Sequence, residues 1–281
     1  MRTLYHGDCL EIMPTLADCS VDAVITDPPY PEIDRAYGRL TEAQWWDLMM
    51  DVCRETRRIL KPTGSAVFIL QPNSRKVGSM RGWLWEFMAW VCRDWNMVQD
   101  VYWWNTTALP TGEGIRRGLP KHASKPCVWA GNPDCYRNRV AVLQPIKSSS
   151  AEIERMRQDT RLVNKPSNTQ TRMSSFAQSL AINGGAIPSN VLAIANANSQ
   201  SSSGAYGHGA GTPLKLADWW TRYIVPTGGT VLDPFNGAGT MAIAAIQNGC
   251  NYIGIEKEAA YIDASHKRIE QVQPALMEAA D

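Results

Sequence analysis

Several features are missing from the sequence, and each absence excludes a class of protein. The seven cysteines include no Cys-x-x-Cys pair, so neither a zinc site nor a disulfide framework is indicated, and we expect reduced thiols. No apolar run approaches the ~20 residues of a membrane-spanning helix. Residues Met1–His6 lack the basic and apolar stretches of a secretory signal. We therefore predict a cytoplasmic protein without a metal site and without contact with a membrane.

Net charge is also nearly absent, but it is unevenly distributed. The chain carries +1 overall, whereas the segment from Glu113 to Arg172 holds twelve Lys or Arg residues against five acidic residues and so carries +7. Because phosphate contacts supply most of the sequence-independent affinity for nucleic acid, this segment is a candidate polyanion-binding surface. A solvated insertion without a partner would have the same charge pattern.

Composition divides the chain into three regions. Residues 1–130 are rich in tryptophan and in apolar runs, residues 131–206 are polar, and residues 207–281 return to alternating strand and helix patterns. The middle region has little apolar material for a core of its own, so we interpret it as a basic, loop-rich insertion. The length of the chain suits one catalytic domain with such an insertion.

Apolar periodicity and breaker residues predict the regular elements of the two outer regions. Strands are predicted at Asp22–Asp27, Ser65–Leu70, Met97–Trp104, Pro126–Ala130, Thr230–Phe235 and Asn251–Glu256. Helices are predicted at Trp45–Leu60, Arg81–Asp94, Leu214–Val225, Thr240–Asn248 and Ala259–Val272. Strands that alternate with helices imply a mostly parallel sheet that is covered on both faces.

A glycine-rich turn follows one of these strands. The run Asp233-Pro-Phe-Asn-Gly-Ala-Gly-Thr240 leaves a buried strand and opens a helix, where free N–H groups and close backbone approach suit a nucleotide-like cofactor. Glu256 ends the next strand, where its carboxylate can accept hydrogen bonds from ribose hydroxyls. A tight turn with structural glycines, or the dinucleotide site of an oxidoreductase, would give the same pattern.

The run Asp27-Pro28-Pro29-Tyr30 after an apolar strand is more specific. An amino group on an aromatic ring is a poor nucleophile because its lone pair is delocalised. The Asp27 carboxylate and the Pro28 carbonyl can accept its two N–H groups and favour a tetrahedral nitrogen, and the paired prolines hold that carbonyl rigidly. The ring of Tyr30 offers a face on which an extruded base can stack. An ordinary turn is the alternative.

Together, Asp27–Tyr30 and Asp233–Thr240 resemble the motifs of the amino-methyltransferases of DNA, and the run from Gly7 to Leu16 strengthens the resemblance. The catalytic tetrad precedes the cofactor loop with a basic insertion between them, which resembles the beta class, a circularly rearranged version of the methyltransferase fold. The resemblance covers residues 4–130 and 207–272. It implies a Rossmann-like, seven-stranded α/β sheet with S-adenosylmethionine at its carboxyl edge.

The resemblance also assigns roles along the chain. Residues 1–130 would be the catalytic half, 131–206 a target-recognition insertion and 207–281 the cofactor-binding half. The residues of the amine-gripping tetrad are Asp27, Pro28, Pro29, which is structural, and Tyr30. The cofactor-binding candidates are Asp27 again and Asp8, Asp233, Pro234, Phe235, Asn236, Gly237, Gly239, Thr240 and Glu256. The candidates for contact with double-stranded DNA are Arg116, Arg117, Lys121, Arg137, Arg139, Arg155, Arg157 and Arg161.

Two details depart from known patterns. Members of this family usually carry a His and then Lys-Pro before the cofactor loop, whereas this chain has His208 and then Thr212-Pro213, so the contact made there stays open and His208 is equally well explained as a surface residue. Pro126-Cys127 is similar to the nucleophile of carbon-5 cytosine methyltransferases. No Glu-Asn-Val follows it, and its position in the chain relative to the cofactor loop differs from that in those enzymes. We therefore interpret Cys127 as a buried strand residue.

Several functions remain open at this stage. We favour the N6 amine of adenine as the target, because relatives with Asp at the first tetrad position mostly act on adenine, whereas Ser is commoner among those that act on cytosine. The N4 amine of cytosine is the main rival. RNA or protein-glutamine methylation, a dinucleotide-dependent oxidoreductase and an inactive DNA-binding module are further hypotheses. The family also suggests a homodimer of bacterial or phage origin, and Trp103 or Trp104 as a stacking partner of the base.

Overall fold

The structure is a computed structural model that describes most of the chain. The residues that it describes are 2–35, 38–145, 151, 155, 162–164, 170–172, 185–196 and 211–272. The chain divides into two compact units, one formed by Met1–Arg137 with Asn190–Asp281 and the other by Asn138–Ser189. The three regions with boundaries at residues 130 and 206 stay a prediction.

The regular elements are numbered here in chain order. The strands are β1 (Arg2–His6), β2 (Val21–Thr26), β3 (Leu60–Ile69), β4 (Ser74–Lys76), β5 (Ser79–Met80), β6 (Met97–Asn105), β7 (Ser124–Gly131), β8 (Leu162–Asn164), β9 (Gln170–Arg172), β10 (Val191–Ile194), β11 (Thr230–Asp233) and β12 (Asn251–Glu256). The helices are α1 (Cys9–Ile12), α2 (Glu42–Ile59), α3 (Trp83–Asp94), α4 (Gly112–Arg116), α5 (Leu214–Ile224), α6 (Thr240–Gln247) and α7 (Ala259–Glu270). None of the described helices combines the length and the apolar composition that a membrane crossing requires.

The first unit is built on a sheet with the strand order β1-β12-β11-β2-β3-β7-β6-β10. Strand β7 runs antiparallel to both of its neighbours, and the other neighbouring strands are parallel. The mainly parallel α/β sheet expected from the sequence is therefore confirmed, although it has eight strands where seven were expected. The sequence patterns missed β1 and β10, because these are the edge strands and their side chains are mostly exposed or half-buried.

The predicted elements are present, and two of their starts shift for identifiable reasons. Helix α2 begins at Glu42 because Thr41 and Gln44 form a capping box, in which the Gln44 N–H donates to Thr41 Oγ1 over 3.2 Å and the Thr41 N–H donates to Gln44 Oε1 over 2.9 Å. The run Lys61-Pro-Thr-Gly64 is expected from its proline and glycine to separate α2 from β3, but in the structure it is part of β3, which begins at Leu60. A register shift against β2 accommodates these extra residues as an irregularity.

The core lies on both faces of the sheet, as the alternation of residues in β3 demonstrates. Ala66 and Phe68 pack into one apolar cluster with residues of α2 and α3, while Val67 and Ile69 pack into the other with residues of α5 and α6. Successive side chains of a strand point to opposite faces, so a run of apolar residues is buried on both sides. The helices therefore fix the height and orientation of the central strands, and with them the ends from which the site is built.

The second unit, considered by itself, has little regular structure among its described residues. Strands β8 and β9 pair antiparallel, with Leu162 opposite Arg172. A 3-10 turn spans Val140–Val142, and an isolated antiparallel bridge joins Gln144 to Ala186. The loop-rich character expected from the composition of residues 131–206 stays a prediction.

Candidate active site

Two sequence-distant motifs end at the same edge of the sheet. Strands β2 and β11 are parallel neighbours, with Ala23 opposite Val231 and Val24 opposite Leu232. Because both strands run towards the same edge, the residues that follow them, Asp27 and the loop after Asp233, lie side by side. One cavity is lined by Asp27 of the first motif, though not by Pro28, Pro29 or Tyr30, and by most of the second motif. Its described lining residues are Asp27, Gly211, Thr212, Asp233, Phe235, Asn236, Gly237, Ala238, Thr240 and Met241.

The carboxylate of Asp27 accepts two hydroxyl hydrogen bonds. The Tyr30 hydroxyl donates to Asp27 Oδ1, and the Thr212 hydroxyl donates to Asp27 Oδ2 over 2.7 Å. Trp45 supports the loop Asp27–Tyr30, since its indole Nε1 donates to the Pro29 carbonyl over 2.8 Å. The tetrad is therefore held by the apolar cluster that contains Trp45 as well as by its own prolines.

The carboxylate of Asp233 is buried at the bottom of the site. It accepts hydrogen bonds from the Thr26 hydroxyl, at 2.6 Å, and from the Phe235 N–H, at 3.1 Å. Burial raises the pKa of Asp233 to about 7, the nearby charges of Asp27 and Glu256 act in the same direction, and the two hydrogen bonds oppose them. Asp233 is thus a carboxyl group that titrates close to neutral pH.

Glu256, at the end of β12, is tied to the glycine-rich loop. Its Oε2 accepts from the Gly237 N–H over 2.8 Å and its Oε1 accepts from the Glu258 N–H over 2.9 Å. Burial raises the pKa of Glu256, while these backbone hydrogen bonds partly offset the effect. Pro234, Gly239, Glu256 and Asp8 are outside the set of described residues that line the cavity.

Gly239 is required by the packing of the loop onto α7. Its φ is +79°, in the left-handed region that glycine favours, and a Cβ atom built on it would lie 2.3 Å from the Ser265 side-chain oxygen. The close approach brings the start of α6 against α7. The sequence predicts that this glycine lets the backbone approach a cofactor closely. In the structure, the close approach that requires a glycine is to helix α7.

The Asn236 side chain faces into the protein as well as the cavity. Its Oδ1 accepts from the Tyr252 hydroxyl over 2.6 Å, and its Nδ2 donates to Ser265 Oγ over 3.1 Å. The buried guanidinium of Arg268 donates to the Ala238 carbonyl in the same loop. The sequence patterns missed Tyr252, Ser265 and Arg268 because an isolated polar residue on a helix or strand predicts a solvated face as readily as a buried one.

Asp8 has a local structural contact. Its side chain accepts from the Leu10 N–H over 2.8 Å and so caps helix α1. The neighbouring Gly7 N–H donates to the Glu256 carbonyl over 2.9 Å, which places Asp8 beside the end of β12. A role at the rim of a cofactor site stays a prediction.

The aromatic residues near the tetrad differ in exposure. Trp103 is buried and donates its Nε1 hydrogen to the Ile194 carbonyl over 2.8 Å, whereas Trp104 is exposed. The ammonium group of Lys125 lies 5.6 Å from the Tyr30 ring centroid and 5.0 Å from that of Trp103. Trp103 is therefore a core residue.

Pro126-Cys127 is unsuited to nucleophilic catalysis. Cys127 is fully buried in β7, and burial raises the pKa of its thiol to about 12. The thiolate is the reactive form of cysteine, so this side chain is inert at neutral pH. The interpretation of Cys127 as a buried strand residue is confirmed.

The candidate DNA contacts fall in different environments. Arg116 and Arg117 are exposed and both pair with Glu113, and Lys121 donates to the Ala108 carbonyl over 3.0 Å. Arg137 is exposed, but its guanidinium donates to the Cys135 carbonyl over 3.1 Å and lies over the Trp129 ring. Its guanidinium is thus already engaged within the protein.

The remaining basic candidates are in the second unit. Arg139 and Arg155 are exposed. Arg157 and Arg161, like His208, lie outside the described residues. The grouping of these residues into one DNA-binding surface stays a prediction.

The cavity fits a cationic ligand. Its lining contains the carboxylates of Asp27 and Asp233, the apolar side chains of Phe235 and Met241 and, among the described lining residues, neither Lys nor Arg. S-adenosylmethionine is a net cation, since its sulfonium and ammonium outweigh its one carboxylate, and its ammonium and ribose hydroxyls can donate to carboxylate acceptors. The pyrophosphate of a dinucleotide would be repelled by the same groups, which argues against the oxidoreductase hypothesis.

Known proteins resemble the chain over nearly its whole length. It is 26% identical over 285 residues to the type II methyltransferase M.PvuII of Proteus hauseri, with 94% of this chain and 82% of that protein covered. The structure of the PvuII DNA methyltransferase, described as cytosine-N4-specific, superposes with a TM-score of 0.71 at 21% identity and covers 100% of this chain and 89% of that one. The M1.HpyAVI-SAM complex superposes with a TM-score of 0.59 at 18% identity and covers 96% and 99%.

These similarities agree with the arrangement of the two motifs at one sheet edge. Residues 21–267, which include both the tetrad and the cofactor loop, match the DNA methylase family of N6 and N4 methyltransferases. The chain belongs to this family of DNA methylases.

Proposed function

We propose that the chain transfers a methyl group from S-adenosylmethionine to the exocyclic N6 amine of adenine in double-stranded DNA. The observation that carries this proposal is the shared cavity of Asp27, at the start of the amine-gripping tetrad, and Asp233, at the start of the cofactor loop. A methyl donor bound against the loop and an amine held at Asp27 would be within reach of each other. Direct transfer between them requires this proximity.

The residues around the cavity have distinct tasks in this mechanism. S-adenosylmethionine supplies an electrophilic methyl group on a sulfonium. Asp233 and Glu256 offer carboxylate oxygens to the positive and hydroxyl groups of that ligand. Asp27 and the Pro28 carbonyl accept the two N–H groups of the target amine, which leaves the nitrogen lone pair free to attack. Because the amine nitrogen itself attacks the methyl group, the reaction needs no covalent bond between the protein and the base, and the buried Cys127 thiol has no part in it.

The target base must leave the duplex to reach this edge of the sheet. Enzymes that act on a base rotate it out of the stack and hold it against an aromatic ring. Tyr30 supplies such a ring, and its hydroxyl is fixed by the bond to Asp27. The exposed cations Arg116, Arg117, Lys121, Arg139 and Arg155 are proposed to contact the DNA backbone, and a homodimer stays a prediction.

The N4 amine of cytosine is the second candidate target. Asp at the first tetrad position supports adenine, whereas the similarity to the cytosine-N4-specific PvuII enzyme supports cytosine. The Asp27 carboxylate and the Pro28 carbonyl would offer the same two acceptors to either amine. Membership of the DNA methylase family favours DNA over RNA or protein as the substrate.

The identity of the methylated nucleoside distinguishes adenine from cytosine as the target base. Purified protein is incubated with S-adenosylmethionine carrying a labelled methyl group and duplex DNA of mixed sequence, and the DNA is digested to nucleosides for mass spectrometry. Labelled N6-methyldeoxyadenosine is the expected product, and Asp27→Ala is the inactive control. Labelled N4-methyldeoxycytidine would support the second candidate, and the absence of any labelled nucleoside would overturn both.

A further inference from the structure

We propose that Thr212 is a positioning residue for methyl transfer, which holds the carboxylate of Asp27 in the orientation that receives the target amine. The proposal rests on the function proposed above for Asp27. Thr212 lies 185 residues away in the sequence, yet its hydroxyl donates to Asp27 Oδ2 over 2.7 Å. Thr212 is 5% exposed and lines the same cavity as Asp27 and Asp233.

The chemistry of the two groups fixes the direction of this hydrogen bond. A threonine hydroxyl has one hydrogen to give, and an ionised carboxylate only accepts, through about four lone-pair positions on its two oxygens. Tyr30 donates to Oδ1 and Thr212 donates to Oδ2, so each oxygen is held by one hydroxyl. Rotation of the carboxylate would break both bonds. The lone pairs that remain can accept an N–H of the target amine.

The backbone that follows Thr212 is restricted. Pro213 follows immediately, with φ at −61°, and precedes the first turn of α5. The Pro213 carbonyl accepts the Leu216 N–H over 2.9 Å, and Leu216 is fully buried in the core. A hydroxyl carried at the start of a packed helix is a precise support, because the carboxylate it holds cannot move without the helix.

A purely structural explanation predicts a different outcome. A buried hydroxyl needs an acceptor, and Asp27 would then serve only to stabilise the fold. Removal of the hydroxyl would lower the free energy of unfolding and leave the turnover number unchanged. If Thr212 positions Asp27, the turnover number falls while the folded protein and its cofactor site remain, because misorientation of a reacting group is costly.

Three variants separate these explanations. Thr212→Val removes the hydroxyl and keeps the shape of the side chain, and Thr212→Ser keeps the hydroxyl. Thr221→Val is the matched control, since Thr221 is also buried and its hydroxyl donates only to the Ala217 carbonyl of α5, over 2.8 Å. Thr212→Ala provides a second variant without the hydroxyl if valine disturbs folding. The assay measures kcat and KM for DNA with saturating S-adenosylmethionine, the Kd of S-adenosylmethionine by calorimetry, and thermal unfolding.

We expect kcat of Thr212→Val to fall about tenfold to a hundredfold, the range for loss of one hydrogen bond to a charged group. KM for DNA and the Kd of S-adenosylmethionine should stay near the wild-type values, Thr212→Ser should recover most of kcat, and Thr221→Val should keep it. A Thr212→Val or Thr212→Ala protein that is folded and turns over as fast as Thr221→Val would overturn the role of Thr212 alone. A wild-type protein that transfers no methyl group to DNA would overturn the proposed function, and this proposal with it.

Discussion

Thr26 donates its hydroxyl hydrogen to Asp233 Oδ1 over 2.6 Å, although 207 residues separate them in the sequence. Thr26 is the last residue of β2 and directly precedes Asp27, whereas Asp233 is the last residue of β11. One hydrogen bond therefore joins the strand that leads to the amine-gripping tetrad to the strand that leads to the cofactor loop. The distance between the two motifs is set by this bond as well as by the pairing of the strands.

The bond predicts that Thr26→Val weakens cofactor binding. The Thr26 hydroxyl lowers the pKa of Asp233, so its removal leaves more of this carboxyl group protonated at neutral pH and weakens its attraction for a cationic ligand. The Kd of S-adenosylmethionine should therefore increase, by up to roughly tenfold if the lost bond is worth about 1.5 kcal/mol. Thr26→Ser keeps the hydroxyl and should bind nearly as tightly as the wild type. Calorimetric titration measures both. An unchanged Kd in the valine variant would show that the bond does not support the cofactor site.

The raised pKa of Asp233 predicts a pH-dependent stability. Its pKa is about 7 in the folded protein, against about 3.9 in an unfolded chain. Between these values the unfolded chain has lost the proton that the folded protein keeps, so this residue destabilises the ligand-free fold as pH rises from about 4 to about 7. Asn at this position cannot ionise. The free energy of unfolding of Asp233→Asn relative to the wild type should therefore increase across this window and level off above it.

Denaturant unfolding of both proteins at a series of pH values tests this prediction. The comparison with the wild type cancels the contribution of the carboxyl groups that do not interact with Asp233, because they are the same in both chains. A difference in unfolding free energy that is constant across the pH window would contradict a folded-state pKa near neutral for Asp233.

Part of this site could be predicted from the sequence, for a simple topological reason. Asp27 and the loop after Asp233 each follow a buried strand, and the carboxyl ends of parallel strands meet at one edge. Thr212 could not be predicted in the same way. It belongs to no catalytic motif, and its hydroxyl reaches Asp27 only because α5 packs where it does. Arg268 could not be predicted either, because a charged residue on a surface helix is normally solvated, whereas Arg268 is buried.

The edge of the fold was also harder to predict than its centre. Central strands such as β2 and β3 are runs of apolar residues that are buried on both faces, and such runs stand out in a sequence. Strand β10 has only Leu192 buried, so its four residues resemble an ordinary loop. Its pairing with β6 depends on tertiary contacts that local patterns do not carry.

The packing of the cofactor loop predicts different effects for two glycine substitutions. Gly239 and Gly249 have similar φ values, +79° and +67°, so alanine at either position costs about 1–2 kcal/mol of backbone strain. The Cβ atom at Gly239 would also meet the buried Ser265 hydroxyl, whereas the Cβ atom at Gly249 would meet no atom within 4 Å. Gly239→Ala should therefore lose more stability in urea unfolding than Gly249→Ala. Equal losses of unfolding free energy would indicate that the Ser265 side chain moves away from the added Cβ atom at little cost.

The position of Arg116 and Arg117 predicts that they contribute to DNA binding. They lie in the connection from Asn105, the last residue of β6, to β7. Strand β6 ends at the same edge of the sheet as β2, because β2 is parallel to β3 and both β3 and β6 are antiparallel to β7. In the same connection Leu109 is 85% exposed, which leaves this surface open to a partner. Neutralising both arginines should weaken DNA binding most at low salt.

The salt dependence of DNA affinity gives that prediction a number. Each phosphate contact contributes about 0.9 to the slope of log K against log salt, so Arg116→Ala/Arg117→Ala should reduce the slope by up to about 2. Arg93→Ala is the matched control, because Arg93 is exposed and paired with Asp94 at the end of α3, next to the start of β6 and hence at the opposite edge of the sheet. Fluorescence anisotropy with a labelled duplex at several salt concentrations measures the slopes. If the double variant keeps the wild-type slope, these arginines do not contact phosphates, and the DNA must be bound through other residues of the basic segment.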